Sequence, residues 1–235
     1  MVAWRPPPSL PVDRLLELTY LAEQSHFWFR GFRRYMKPAL ARATAGVPAP
    51  RILDCGCGTG SNLDMLKPYG RAIGFDLTRI GVAFAREHGH RVVQASIGQI
   101  PFATGSFDLV TSFDVFQCLP DPVERDAIEE VSRVLRRGGW LLLHVAALAI
   151  LHGRHSVLSE EVRRYTPSRL RSIVERSGFR VLDLQVDHVF PYRIREYVQY
   201  RYMREPYFQL MPDPLFRAFE RRFGWHLLVN AEAPT

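Results

Sequence analysis

Apolar and polar positions follow two rhythms along this chain, and the switches between them mark its elements. From about Pro11 to Ala43 the spacing is helical, with Leu15, Leu18, Leu21 and Ala22 on one face, followed by the aromatic cluster Phe27, Trp28, Phe29 and Phe32. Residues 1–10, with the triplet Pro6 to Pro8, read as an irregular arm, and Pro48 and Pro50 read as a linker. Short apolar runs then alternate with helical segments. Strands are predicted at Arg51–Asp54, Arg71–Asp76, Val92–Ala95, Phe107–Phe113 and Trp140–Val145. Between them helices are predicted from Ser61, as N-cap, to Lys67, from Thr78 to His88, and from Pro122 to Leu135. Thr166 and Pro167 open a further helix to Ser177, and Val181–Val186 and Trp225–Asn230 read as two last strands.

Five strand-to-helix alternations predict an α/β fold, doubly wound and Rossmann-like. The expected sheet has seven strands, mostly parallel, with an antiparallel last strand. The chain divides into an arm with a helical lid (1–50), the core (51–188), a helical insertion rich in tyrosine and arginine (189–222) and the last strand with its tail (223–235). These form one domain overall, and 235 residues suffice for a sizeable core.

Composition narrows the class. With 47% hydrophobic and 23% charged residues the chain is not globally disordered. Three cysteines cannot staple a secreted mini-domain, so reduced thiols and a cytoplasmic location are expected. The most apolar run, Trp140–Leu151, contains His144 and is too short to span a bilayer, and the proline-rich start lacks a signal-peptide apolar region. A soluble protein is expected. The net charge of +7 comes from scattered arginine pairs such as Arg136/Arg137 and Arg163/Arg164, with no nucleic-acid motif beside them. An anionic substrate, or peripheral contact with an anionic membrane surface, accounts for it equally well; nucleic acid is not expected, and a homodimer stays open.

The chemistry concentrates in one turn. Asp54 precedes Gly56, Gly58 and Gly60, at the end of one strand and the start of a helix. Glycines let such a turn approach a ligand closely, and the helix start offers free N–H groups. The plain alternative is a turn that only packs. The spacing is not the Gly-x-Gly-x-x-Gly of dinucleotide folds, and a second acid, Asp76, ends the next strand, where a carboxylate can accept ribose hydroxyls. Cys55 and Cys57 lack the partner ligands of a zinc site, so no metal is expected and small buried packing is the accepted role.

This turn resembles that of the class I S-adenosylmethionine-dependent methyltransferases. Ile100 to Phe102, Gly105 to Val110 and Glu130 to Trp140 match that family's later segments in order and spacing, and the likeness runs from about Arg51 to Leu143. His26 to Arg30 and Arg163 to Thr166 are similar to a bacterial, type 11-like subgroup. The resemblance implies S-adenosylmethionine as cofactor. It places the backbone of Gly56, Cys57, Gly58 and Gly60 against the methionyl part, with Asp54 organising the turn, and Asp76 on the ribose. Leu77 and Ile97 would wall the adenine, and Phe113 and Asp114 would border the methyl group. Ser96 stands where the family commonly has an acid that reads the adenine amino group. Trp28, an aromatic face for a sulfonium, completes the set.

For proton removal from an acceptor, the candidates are His144, His155 and Tyr165, each weighed against a packing role. A subgroup histidine is replaced here by Gln117. Tyr192, Tyr197, Arg193 and Arg195 in the insertion would face the acceptor, a small aromatic, anionic or lipid-linked glycan molecule. Two rivals remain: an S-adenosylmethionine-binding protein that does not methylate, and an NAD(P)-dependent oxidoreductase on a similar fold.

Overall fold

Four of the five residues of β1 (Arg51–Cys55) are buried, which fits a strand covered on both faces at the middle of a sheet. The computed structural model describes residues 27–147, 159–189 and 224–234, with the single positions 19, 20, 23, 149 and 156. β1 pairs in parallel with β2 (Arg71–Asp76) on one side and β4 (Phe107–Phe113) on the other. β3 (Val92–Gln94) extends the sheet beyond β2, and β5 (Leu135–Ala146) extends it beyond β4, both in parallel. β7 (Gly224–Glu232) inserts antiparallel between β5 and β6 (Arg180–Val189), giving the order 3-2-1-4-5-7-6. The expected seven-stranded, Rossmann-like sheet with an antiparallel last strand is therefore present.

Helices cover both faces, and the period-two alternation of each strand feeds two separate cores. α1 (Phe27–Ala43), α2 (Ser61–Leu66) and α3 (Arg79–Glu87) pack Phe32, Met36, Leu40, Leu63, Leu66 and Val82 against Ile52, Leu109 and Leu142. α4 (Asp121–Val134) and α5 (Pro167–Arg176) pack Ile128, Val131, Leu170 and Val174 against Leu53, Val110, Leu141 and Leu143. Burying one such leucine or valine contributes about 1.5–3 kcal/mol. Among the described residues, no helix is long and apolar enough to cross a membrane.

β6 and β7 run up to three residues beyond the expected bounds, and two further boundaries differ in kind. Ser61 does not cap α2; Gly60 does, in the left-handed conformation, and the Ser61 hydroxyl accepts from Arg33 Nη1 at 3.0 Å instead. β5 starts at Leu135, before the Gly138-Gly139 pair, because pairing with Phe107 resumes across an irregularity. At α5 the Thr166 hydroxyl does cap, accepting from the Arg169 amide at 3.2 Å.

Candidate functional site

Among the described residues, the candidate cofactor residues gather at one edge, the carboxyl ends of β1, β2, β4 and β5. The chain leaves β1 through Gly56, Gly58 and Gly60, all at positive φ. A Cβ on Gly56 would lie 2.3 Å from Val115 Cγ2, so that glycine is fixed by packing. A Cβ on Gly58 (φ +50°) would meet nothing within 4 Å, so its backbone faces open space. The amides of Gly56 and Cys57 both donate to the Phe75 carbonyl at 2.9 Å, which pins the first half of the turn to β2. Cys55 and Cys57 are buried with their thiols pushed up by burial, and Cys57 packs on Gly74, where no Cβ would fit.

Two carboxylates frame the turn. Asp54 is buried, and its Oδ1 accepts from Thr111 Oγ1 at 2.7 Å. Its Oδ2 is buried without a hydrogen-bond partner. Burial pushes the Asp54 carboxyl up to about 7, opposed by the Thr111 hydrogen bond and reinforced by the nearby Asp76 charge. Asp76 Oδ2 accepts from the Gly58 amide at 2.8 Å, while its Oδ1 accepts from the Thr78 amide at 2.8 Å and the Thr78 hydroxyl at 2.6 Å. Asp76 is thus a turn organiser as well as a ribose candidate. Three of a carboxylate's roughly four acceptor positions are taken.

The remaining sequence candidates separate clearly. Leu77 projects into solvent at 68% exposure, an apolar face with no packing role, and Gln94 Nε2 fixes its carbonyl at 3.1 Å. Ser96 closes a local turn, its hydroxyl accepting from the Gly98 amide at 3.2 Å, while Ile97 is buried in the core. Phe113 is buried edge-on to Phe32, with centroids 5.1 Å apart. Asp114, at φ +59°, has its carboxylate Oδ1 3.0 Å from His144 Nδ1. His144 itself is fully buried and packs edge-on to Phe32, so it stands behind Asp114 rather than lining the cleft.

Tyr165 is corrected outright. Its ring is fully buried, and its hydroxyl donates to Glu124 and to the Phe116 carbonyl. Arg163 and Arg169 bind the same Glu124 carboxylate, and burial with that carboxylate pushes the tyrosine hydroxyl far up. A phenol so held cannot serve as a proton acceptor; it anchors the segment after β5 to the start of α4. Arg164 is engaged similarly, with the Ala147 carbonyl, Ser156 and Glu161. His155 and the whole of 190–222, including Tyr192, Arg193, Arg195 and Tyr197, lie outside the described residues. Trp28 falls in the first turn of α1, but its side chain is likewise outside them.

One contact escaped the sequence altogether. Glu23 Oε2 accepts from Thr59 Oγ1, in the glycine turn, at 2.5 Å, and Arg33 donates to the Glu23 carbonyl. Burial raises the Glu23 carboxyl, while Thr59 and Arg33 pull it back. Glu23 therefore lies against the turn. Thr111 and Thr78 were missed as well, although a threonine two residues after Asp76 is a turn signal in its own right.

These features fit the cofactor that the resemblance implies. An unpartnered buried carboxylate oxygen on Asp54, an open Gly58 backbone and an exposed apolar Leu77 lie around the ends of neighbouring strands. They match, in turn, an amino group, a chain that must approach closely, and a flat base.

Comparison with known proteins agrees. Residues 53–143 match the family model described as a methyltransferase domain. A malonyl-acyl-carrier-protein O-methyltransferase of Herminiimonas arsenicoxydans is 33% identical over 134 residues, covering 55% of this chain and 50% of the relative. A probable S-adenosylmethionine-dependent methyltransferase of Mycobacterium tuberculosis is 26% identical over 185 residues, covering 74% and 65%. The chain thus spans about half to two thirds of the curated relatives it matches. Among solved structures, an S-adenosylmethionine-dependent methyltransferase from Archaeoglobus fulgidus superposes with a TM-score of 0.62 at 17% identity, covering 92% of this chain and 99% of that one. The cyclase SpnF superposes at 0.64 and 17%, covering 97% and 98%. At such identities these likenesses speak for the fold alone.

Proposed function

We propose that this chain, whose residues 53–143 match the methyltransferase-domain model, is a class I S-adenosylmethionine-dependent methyltransferase that transfers a methyl group to a small-molecule or lipid-linked acceptor. The observation that carries the cofactor assignment is the unpartnered Asp54 Oδ2 beside the open Gly58 backbone. When bound, S-adenosylmethionine supplies an electrophilic methyl group on a sulfonium. The protein's own task is to bind, align and dry. Asp54 and the turn through Gly56, Cys57, Gly58 and Gly60 hold the methionyl end, the turn by close approach and its carbonyls, since these four amides are already donated to Phe75, Asp76 and Cys57. Asp76 holds the ribose, and Leu77 with the Ser96-Ile97 turn the adenine. Phe113 and Asp114 face the reacting end, and Glu23 covers the turn at Thr59. Alignment of reactants alone supplies a large part of such a rate enhancement.

The acceptor class is tested with labelled methyl donor and fractionated small-molecule and lipid extracts of the host. A relative named for a malonyl-acyl-carrier protein makes a carrier-bound acyl group a further fraction to include. Label in a small molecule or lipid is the expected result. Label only in nucleic acid, or only in protein from which mild alkaline hydrolysis of thioesters releases none, contradicts the acceptor class. A second reading, cofactor binding without methylation, rests on the same site, because an unpartnered Asp54 Oδ2 and an open Gly58 backbone speak for binding and not for transfer. Tight donor binding with no labelled product in any fraction would favour it.

A further inference from the structure

We propose that Asp114 and Gln117 seat the reacting group of the acceptor, and that this group is a hydrogen-bond donor, a hydroxyl or an amine, whose proton Asp114 takes. The proposal rests on the methyl-transfer reading above and specifies its acceptor end.

Asp114 leaves β4 in a left-handed conformation (φ +59°), which aspartate and asparagine tolerate better than most residues. Its amide donates to the His144 carbonyl at 3.0 Å, so the strained turn is stitched to the end of β5. Two donors converge on its Oδ1: His144 Nδ1 at 3.0 Å and Gln117 Nε2 at 3.3 Å. The carboxylate is thus held from the protein side, while its side chain keeps 29% exposure. His144 has none, so it acts through Asp114 and is a positioning residue. With the carboxylate ionised, that geometry puts the ring proton on Nδ1.

Gln117 is 97% buried, and its Oε1 has no hydrogen-bond partner. A buried amide carbonyl left so is destabilising, and a donor from a ligand would recover that loss. It belongs to the same amide as the nitrogen that donates to Asp114, which places the unpartnered carbonyl beside that carboxylate. The backbone carbonyl of Gln117 accepts from Val162 and Arg163, and Val162, at 59% exposure, adds an apolar rim. A carboxylate and an unsatisfied carbonyl side by side call for a ligand that donates, and they repel an anionic head at this end. An acceptor written X–H completes the step. The lone pair of X forms the bond to the methyl carbon, the carbon–sulfur bond breaks with its electrons going to sulfur, and the X–H proton passes to Asp114.

The test uses the full chain saturated with S-adenosylhomocysteine, with affinity for that ligand measured first by calorimetry. Benzyl alcohol, benzylamine and benzyl methyl ether are then compared by saturation-transfer NMR at millimolar concentration. The alcohol and amine are expected to bind, the ether to bind about tenfold more weakly, and Gln117→Leu or Asp114→Asn to erase the difference, about one charged hydrogen bond. Asparagine keeps the backbone conformation at 114, and circular dichroism with a single cooperative thermal transition shows that the variants fold. His144→Asn, which retains a donor, should preserve the preference, and His144→Leu should not. Nitrogen NMR should find His144 protonated at Nδ1 in the wild type. Equal binding of ether and alcohol, no binding of alcohol or amine, or a preference that survives both Gln117→Leu and Asp114→Asn overturns the proposal. Failure of S-adenosylhomocysteine to bind the wild type instead overturns the reading on which it rests.

Discussion

The Asp76 carboxylate accepts the Gly58 amide at 2.8 Å, so the acid that ends β2 shapes the glycine turn that ends β1. The same group also holds Thr78 through its amide and hydroxyl. Asp76→Ala removes all three bonds, and a loss of about 1.5–3 kcal/mol in folding stability is expected, together with a large loss of cofactor affinity. Asp76→Asn keeps some acceptor capacity and should fall between. Denaturant unfolding and calorimetry check both. An alanine variant that keeps wild-type stability would contradict the organising role.

Asp54 gives a pH dependence of defined sign. Its carboxyl is raised from 3.8 to about 7, so between those values the folded protein holds a proton that the unfolded chain has lost. This group's contribution to stability therefore falls as pH rises from about 4 to about 7, by at most about 1.4 kcal/mol per pH unit. Asp54→Asn should flatten that part of the profile, gain stability relative to wild type above pH 7, and bind the cofactor less well. An unchanged pH profile of thermal unfolding in the variant would contradict the burial argument.

The sheet was legible because its strands are apolar runs such as Ile52–Leu53 and Leu141–Leu143 bounded by glycine and proline, and both faces need filling. The glycine turn was legible for a stronger reason: Gly56, Gly58 and Gly60 all adopt positive φ, where other residues are strained. What residue type alone does not carry is direction and partner. Tyr165 looked like a cleft residue because it follows Arg163 and Arg164, yet its ring turns inward to Glu124, 41 positions earlier. Ser61 looked like an N-cap, but Gly60 takes that place and Arg33 engages the serine. The Glu23 to Thr59 contact joins segments 36 residues apart, and no periodicity announces it.

Tyr165→Phe separates anchoring from catalysis. Losing the bonds to Glu124 and the Phe116 carbonyl should cost about 1–3 kcal/mol, while Arg163 and Arg169 still neutralise Glu124. Methyl transfer at saturating substrate, measured well below the melting temperature, should match wild type. A loss of rate without a loss of stability would restore Tyr165 as a substrate-side group.

Thr59→Val tests the Glu23 contact. The Glu23 carboxylate stays buried but loses its hydroxyl donor, so its contact with the glycine turn should open more often. Faster amide exchange over the first turns of α1 and faster cofactor release are expected. Exchange there that matches wild type would contradict the contact.

Calorimetric titration with S-adenosylhomocysteine, run beside NAD, tests the central assignment most directly. One binding site for S-adenosylhomocysteine, weakened about tenfold or more by Asp54→Asn and by Asp76→Ala, and no heat with NAD, is the expected result. Binding of NAD in its place, or S-adenosylhomocysteine binding that ignores both substitutions, would contradict it.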